Sequence, residues 1–353
     1  GFNADGSRYA ASDGPYIRVW DASDGEAIAS QLARPVALVL REDADSEQLV
    51  FLDRDRKVWQ WNIDSSDPVE INELEGDSDL IFDFFRHPII SADGKRVVYM
   101  SVKEEASIYV WDLQSGRLLT QFPIDFRGTR SGRGYTISPD GKRIALLEGF
   151  HVQKIWDADT STEIADLGQV PRSLHYPYRY VRLSSDGRNL VRATESTDAD
   201  PNSPDSHIVV LSVATERVTF THRSNDFRTF EFSGDGDRLA IAEGDRVVLF
   251  DLETGEKLSS LSVQQAGVDD MALDQTGDML CAVSADDREV TLWDTRTSES
   301  LATFHTPHAD VARVAISPNR DWIAAAASNG NLQVWNLMEV QEQLQKVGLD
   351  WKD

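Results

Sequence analysis

The sequence predicts an all-β chain made of eight copies of one unit, each of four short antiparallel strands, with a short helix at the end. Two motifs in register predict it. The first is a short apolar segment ending in Trp-Asp or a close relative. Its copies are YIRVWD (Tyr16 to Asp21), KVWQWN (Lys57 to Asn62), SIYVWD (Ser107 to Asp112), VQKIWD (Val152 to Asp157), HIVVLS (His207 to Ser212), RVVLFD (Arg246 to Asp251), EVTLWD (Glu289 to Asp294) and NLQVWN (Asn331 to Asn336). The penultimate residues fall at 20, 61, 111, 156, 211, 250, 293 and 335, in steps of 39 to 55. A period of this size means stacked copies of one supersecondary unit.

The second motif is a Ser-x-Asp-Gly turn upstream of most of these segments. It appears at 3–6 (as Asn-Ala-Asp-Gly), 91–94, 138–141, 184–187 and 233–236, with looser copies at 274–277 and 317–320. Asp bonds its own backbone there, Gly accepts a positive φ, and Pro139 and Pro318 preset the first central position. The elements of a unit follow in order. An apolar run leads into the turn, as at Tyr135 to Ser138, and is strand a. A second run leaves it, as at Arg143 to Leu147, and is strand b. The Trp-Asp segment is strand c. A further turn, as at Asp112 to Gly116 or Asp251 to Gly255, leads to strand d, as at Arg117 to Gln121 or Glu256 to Leu261.

With both motifs in register over Phe2 to Asn336, the chain resembles the WD-repeat family of β-propellers. The resemblance implies a propeller of four-stranded blades, here eight, with seven blades plus a stray unit as the alternative. It also assigns structural roles to Trp20, Trp61, Trp111, Trp156, Trp293 and Trp335. The copies depart from the family at Leu211 and Phe250, which replace Trp. The family's Gly-His pair is almost absent, and its hydrogen-bonded network is approached only by His308, Ser328, Asn329 and Trp335. The other blades are therefore expected to be held by apolar packing and ladder bonds.

The expected domains are the propeller, 1–336, and a helix with its tail, 337–353. The first blade is expected to be cut in strand a, as in a fragment of a longer protein, and the eighth to lack a strand d of its own. In Leu337 to Val347, Leu337, Val340, Leu344 and Val347 recur at helical spacing, and Gly348 suits the position after the last turn. The phrase from Gln343 to Trp351 resembles the tail that ends propellers in large multidomain bacterial proteins of the planctomycete type. That resemblance implies upstream domains, such as a Ser/Thr kinase, in the same chain.

The net charge of −25 and isoelectric point near 4.6 argue against unspecific binding to nucleic acid or anionic lipid. The single cysteine, Cys281, lies in a strand-b run, which excludes a disulfide framework and predicts a buried thiol. No apolar run approaches membrane-spanning length and no signal peptide is expected in this segment. The compartment stays open: a cytoplasmic location is favoured, an extracytoplasmic one if a span precedes the segment.

A search for chemistry finds no catalytic constellation and predicts no cofactor and no metal. The strand-a positions nearest the propeller axis read His87 or a neighbour, Tyr135, Tyr180 or Val181, Thr229 or Phe230, Asp270 or Met271, and Arg313 or Val314, with no ring of ligands. His305 and His308 are the one close His pair. The acidic stretch Asp198 to Asp205 lacks the turn Gly and distal Glu of a calcium loop. The expected function is therefore a non-catalytic scaffold or sensing module that binds partners through its top-face loops; the alternative is a propeller hydrolase or metal-binding enzyme domain.

The longest loops are Gln121 to Gly134, Leu167 to Tyr176 and Ala193 to His207, all expected on one face, where d–a and b–c connections lie. Residues 121–192 carry eleven Lys and Arg against eight Asp and Glu, net +3, leaving 24 against 52, net −28, for the rest. Arg127, Arg130, Arg133 and Arg172, with Phe150, His175, Tyr176 and Tyr178, have the composition of a binding hot spot. The expected partner is a protein or peptide, acidic or phosphorylated. Nucleic acid and direct membrane insertion are not expected.

Overall fold

The structure is a computed structural model. It describes the chain except residues 1–2, 4–6, 14–15, 23–26, 33–34, 44–45, 63–66, 76–87, 102–105, 125–134, 149–151, 170–179, 194–205, 216, 225, 264–266, 285–288, 307–310, 318, 328–331 and 347–353. Strands follow one another into eight antiparallel sheets, each made of strands consecutive in the chain, which is the blade organisation of a β-propeller. Among the described residues, blades 2 to 7 have four strands and blades 1 and 8 have three. Blade 1 begins with strand b, Arg8–Asp13, and blade 8 ends with strand c, Leu332–Asn336. The helix α1, Leu337–Lys346, follows directly. Asn336 caps it, its side-chain oxygen accepting the Glu339 N–H at 3.1 Å.

The Ser-x-Asp-Gly turns explain why strands a and b pair where they do. In blade 4, the buried Ser138 hydroxyl donates to Asp140 Oδ1 at 2.6 Å. The same oxygen accepts the Lys142 N–H at 3.0 Å, and Ser138 Oγ accepts the Arg143 N–H at 2.9 Å. Blades 3, 5 and 6 repeat this with Ser91, Ser184 and Ser233. In blade 7 Asp274 takes the Ser position and accepts the Met279 N–H at 3.0 Å; in blade 1 Asn3 does so for Arg8. The fourth seat has φ near 70°, a left-handed value that suits Gly. Blade 8 fills it with Arg320 at φ 66°.

Contacts divide the molecule into two units, each with its own core. Residues 33–225 form one, holding blades 2 to 5. Its apolar layers lie between consecutive blades: Val50, Leu52, Val58 and Leu74 of blade 2 meet Val97, Tyr99, Trp111 and Leu113 of blade 3. The other unit joins 1–32 to 226–353 and holds blades 1, 6, 7 and 8 with α1. There Tyr9 and Trp20 of blade 1 pack on Ala324 of blade 8, and Leu337 of α1 enters the layer between blades 7 and 8.

The strand-c tryptophans are not equivalent. Trp20, Trp61, Trp111 and Trp293 are buried, whereas Trp156 and Trp335 are half-buried. Six c–d ladders share a β-bulge at the Trp position, which bends strand d. Where the bulged residue's side chain is described it is Leu119, Ile164, Thr219, Leu258 or Leu301, and Leu119, Ile164 and Leu258 are exposed.

Candidate functional site

The predicted partner-binding residues Arg127, Arg130, Arg133, Phe150, Arg172, His175, Tyr176 and Tyr178 lie outside the described residues. So do His308, Ser328 and Asn329 of the expected hydrogen-bonded network, and the acidic stretch from Asp198 to Asp205. The flanking strands identify the connections involved. Residues 124–134 join strand d of blade 3, Leu118–Pro123, to strand a of blade 4, Tyr135–Ile137. Residues 170–179 join strand d of blade 4 to strand a of blade 5, and 194–205 join strands b and c of blade 5.

On the a–b turns a set of ties emerges that the motif reading missed. Two residues after the turn Gly, Arg96 and Arg143 reach into the next blade's turn. Arg96 Nη1 donates to the Gly141 carbonyl at 2.9 Å and Arg143 Nη1 to the Gly187 carbonyl at 3.4 Å. Arg238 makes the corresponding reach to Asp278 Oδ1 at 2.7 Å. The fit is close: a Cβ on Gly141 would stand 2.8 Å from the Arg96 side chain. The sequence signal was present as Gly-x-Arg in four turns, at 6–8, 94–96, 141–143 and 236–238.

The junction of blades 7 and 8 departs from this pattern twice. Asp274 replaces Ser, placing a fully buried carboxylate in the turn, and Arg320 replaces Gly. The two substitutions answer each other. Arg320 Nε meets Asp274 Oδ2 at 2.5 Å, and its Nη2 meets Thr276 Oγ1 and, at 3.4 Å, Asp278 Oδ2. A buried carboxylate demands such a partner.

This junction borders a groove of about 230 Å³, lined by Met279, Asp294 and Arg296, by Leu301, by Asn319, Arg320 and Asp321, and by Leu337, Met338 and Gln341 of α1. Arg296 is locked against Asp294: its Nη2 meets Oδ2 at 2.8 Å and its Nε meets Oδ1 at 3.3 Å. The Arg296 guanidinium holds the Asp294 carboxyl below its ordinary value, and Asp294 in turn raises Arg296.

On strand a, the alternatives left by the sequence resolve to Thr229, Asp270 and Arg313 on the more exposed face, while Phe230, Met271 and Val314 are buried. Asp270 Oδ2 accepts the Val314 N–H of the next blade at 2.9 Å. Cys281 is fully buried, and burial pushes its thiol far up. His305 Nδ1 lies 3.2 Å from Glu289. Among the described residues no group of three or more His, Cys, Asp and Glu is placed to hold a metal ion, and no helix is long and apolar enough to cross a membrane.

Eight repeated blades of consecutive antiparallel strands define the class as a β-propeller. The family model "WD domain, G-beta repeat" matches residues 298–336, which run from strand d of blade 7 through strand c of blade 8. Among solved structures, the computationally designed Ika8 protein is similar, with a TM-score of 0.67 and 18% identity over 94% of this chain and 93% of that one. Hydrazine synthase of Kuenenia stuttgartiensis gives a TM-score of 0.54 and 16% identity, covering 86% of this chain and 95% of that one. At these identities both likenesses concern the fold alone. No curated protein sequence matches the chain.

Proposed function

We propose that this propeller is a non-catalytic scaffold or sensing module of a larger bacterial protein, one that holds an acidic or phosphorylated protein segment. Its binding surface is the set of d–a and b–c connections of blades 3 to 5. Propellers of the WD-repeat type generally mediate protein–protein interactions. The observation that carries the finer reading is the charge contrast: residues 121–192 are net +3 in a chain that is otherwise net −28. Within that stretch, the sequence supplies Arg127, Arg130, Arg133 and Arg172 together with Phe150, His175, Tyr176 and Tyr178. Arg grips carboxylate or phosphate with two parallel hydrogen bonds, and Tyr adds contact area at low entropy cost. Long loops on a rigid repeat scaffold are where binding residues concentrate.

The test is recovery of partners from native lysate by the parent chain and by an Arg127→Glu, Arg130→Glu, Arg172→Glu variant. Loss of the parent's partners in the variant is the expected result. Equal recovery of the same partners by both proteins overturns the assignment to these loops.

A further inference from the structure

We propose that the groove between blade 7, blade 8 and α1 is a second binding site, one that takes a carboxylate attached to an apolar group. This site does not depend on the loop reading above.

Three observations converge on it. The first is the donor set. Arg296 spends Nε and Nη2 on Asp294, and Arg320 spends Nε and Nη2 on Asp274, Thr276 and Asp278. In each case Nη1 has no hydrogen-bond partner among the described residues, and both side chains line the same groove. Each guanidinium is therefore fixed from behind by carboxylates, with donors left over, which is how a preorganised anion site is built. The side-chain amides of Asn319 and Gln341 line the groove with them.

The second observation concerns the acids. Asp294 is 8% exposed and its two oxygens are occupied by the side chain and N–H of Arg296 and the N–H of Thr297. Asp274 is fully buried behind Arg320. The Arg296 side chain, 52% exposed, is more accessible than either acid. Asp321 remains as a local anion and the chain carries −25, so binding is expected to be in the millimolar range.

The third observation is the apolar floor. Met279, Leu301 and Leu337 line it, and Met338 stands 57% exposed at its edge. An exposed Met beside a groove is an adaptable apolar contact. Arg320 keeps a left-handed backbone in a seat that, among the described residues, five other turns give to Gly. Strain of that kind persists where surrounding contacts require the side chain.

The experiment uses the full chain with ¹³C-methyl methionine. The chain has four Met residues. Met279 and Met338 line the groove, while Met100 and Met271 are 1% and 3% exposed in other layers and serve as internal controls. The probes are N-acetyl-leucine, its neutral amide, and the capped dipeptide acetyl-Asp-Leu-amide. The expected result is a saturable shift of the Met279 and Met338 signals alone, with a carboxylate probe and not with the neutral amide. N-acetyl-leucine acting alone identifies a chain terminus as the source, and the dipeptide acting alone an acidic side chain. Arg296→Gln should weaken that binding about tenfold or more, the loss of one charge-assisted contact. Met100 and Met271 signals at their parent positions confirm that the variant is folded. Equal shifts with the neutral amide, or no shift with either carboxylate probe, overturn the proposal. So does full binding by a folded Arg296→Gln chain.

Discussion

Trp111 and Trp156 occupy the same repeat position in consecutive blades, yet they are predicted to tolerate the same substitution differently. Trp111 is 1% exposed, and its Nε1 donates to the Glu75 carbonyl of blade 2 at 2.7 Å. Trp156 is half-buried, stacks on Phe122 with ring centroids 4.4 Å apart, and its Nε1 has no partner among the described residues. Replacing each with Phe keeps an aromatic ring but removes the N–H. At Trp111 the change forfeits a hydrogen bond worth about 1 kcal/mol and leaves a void costing about 1–2 kcal/mol more. At Trp156 there is no bond to lose, and the N–H removed is a buried donor without a partner among the described residues, so the loss is about 1 kcal/mol. Urea unfolding followed by circular dichroism, with slopes compared as well as midpoints, measures both. Trp111→Phe should be the more destabilised by about 1–2 kcal/mol. Equal losses would show that the Trp111–Glu75 bond contributes nothing and that the two indoles are energetically alike.

Three further outcomes follow from the turns and the core. Arg320→Gly relieves a strained backbone but leaves Asp274 buried without its guanidinium, so it should cost about 2–4 kcal/mol; adding Asp274→Ser, which restores the usual turn, should recover most of that loss, and a double variant no better than the single one contradicts the pairing. Asp157 and Asp251 are held below the ordinary carboxylate value of 3.8 first by the backbone N–H groups of Thr160 and Thr254, and Asp294 by Arg296. Their contribution is therefore complete above about pH 4 and is lost as pH falls through their lower folded values; Asp251→Asn should flatten that acid limb, and stability that rises on acidification below pH 4 refutes this reading. Cys281 should resist a thiol reagent in the native protein and react on unfolding in urea; rapid native labelling contradicts its burial.

The strands were legible because two local signals repeat. The c-strand segments Tyr16–Asp21, Ser107–Asp112 and Arg246–Asp251 occupy the residues their pattern predicts, since alternating apolar residues bounded by turn residues have few other outcomes. The eight-blade count followed from the same period. What crosses between blades was harder to read. The Arg96 reach to Gly141 spans 45 residues, and the Asp274–Arg320 exchange is visible only when two turns are compared as neighbours in space. The groove beside α1 was likewise illegible, because Arg296, Arg320 and Met338 come from separate parts of the chain that no local period connects. Which face of strand a carries Asp270 depended on a bulge between Val268 and Asp270, and a one-residue slip reverses every side chain.

Photo-crosslinking in the native host tests whether the connections of blades 3 to 5 hold an acidic partner. A benzophenone amino acid at Tyr178, in the proposed loops, is compared with one at Leu258, exposed on strand d of blade 6. The probe at Tyr178 should capture one protein at segments rich in Asp, Glu or phosphorylated residues, the probe at Leu258 should not capture it, and Arg127→Glu with Arg172→Glu should abolish the capture. Crosslinks to basic or apolar segments, or capture that survives both substitutions, would contradict it.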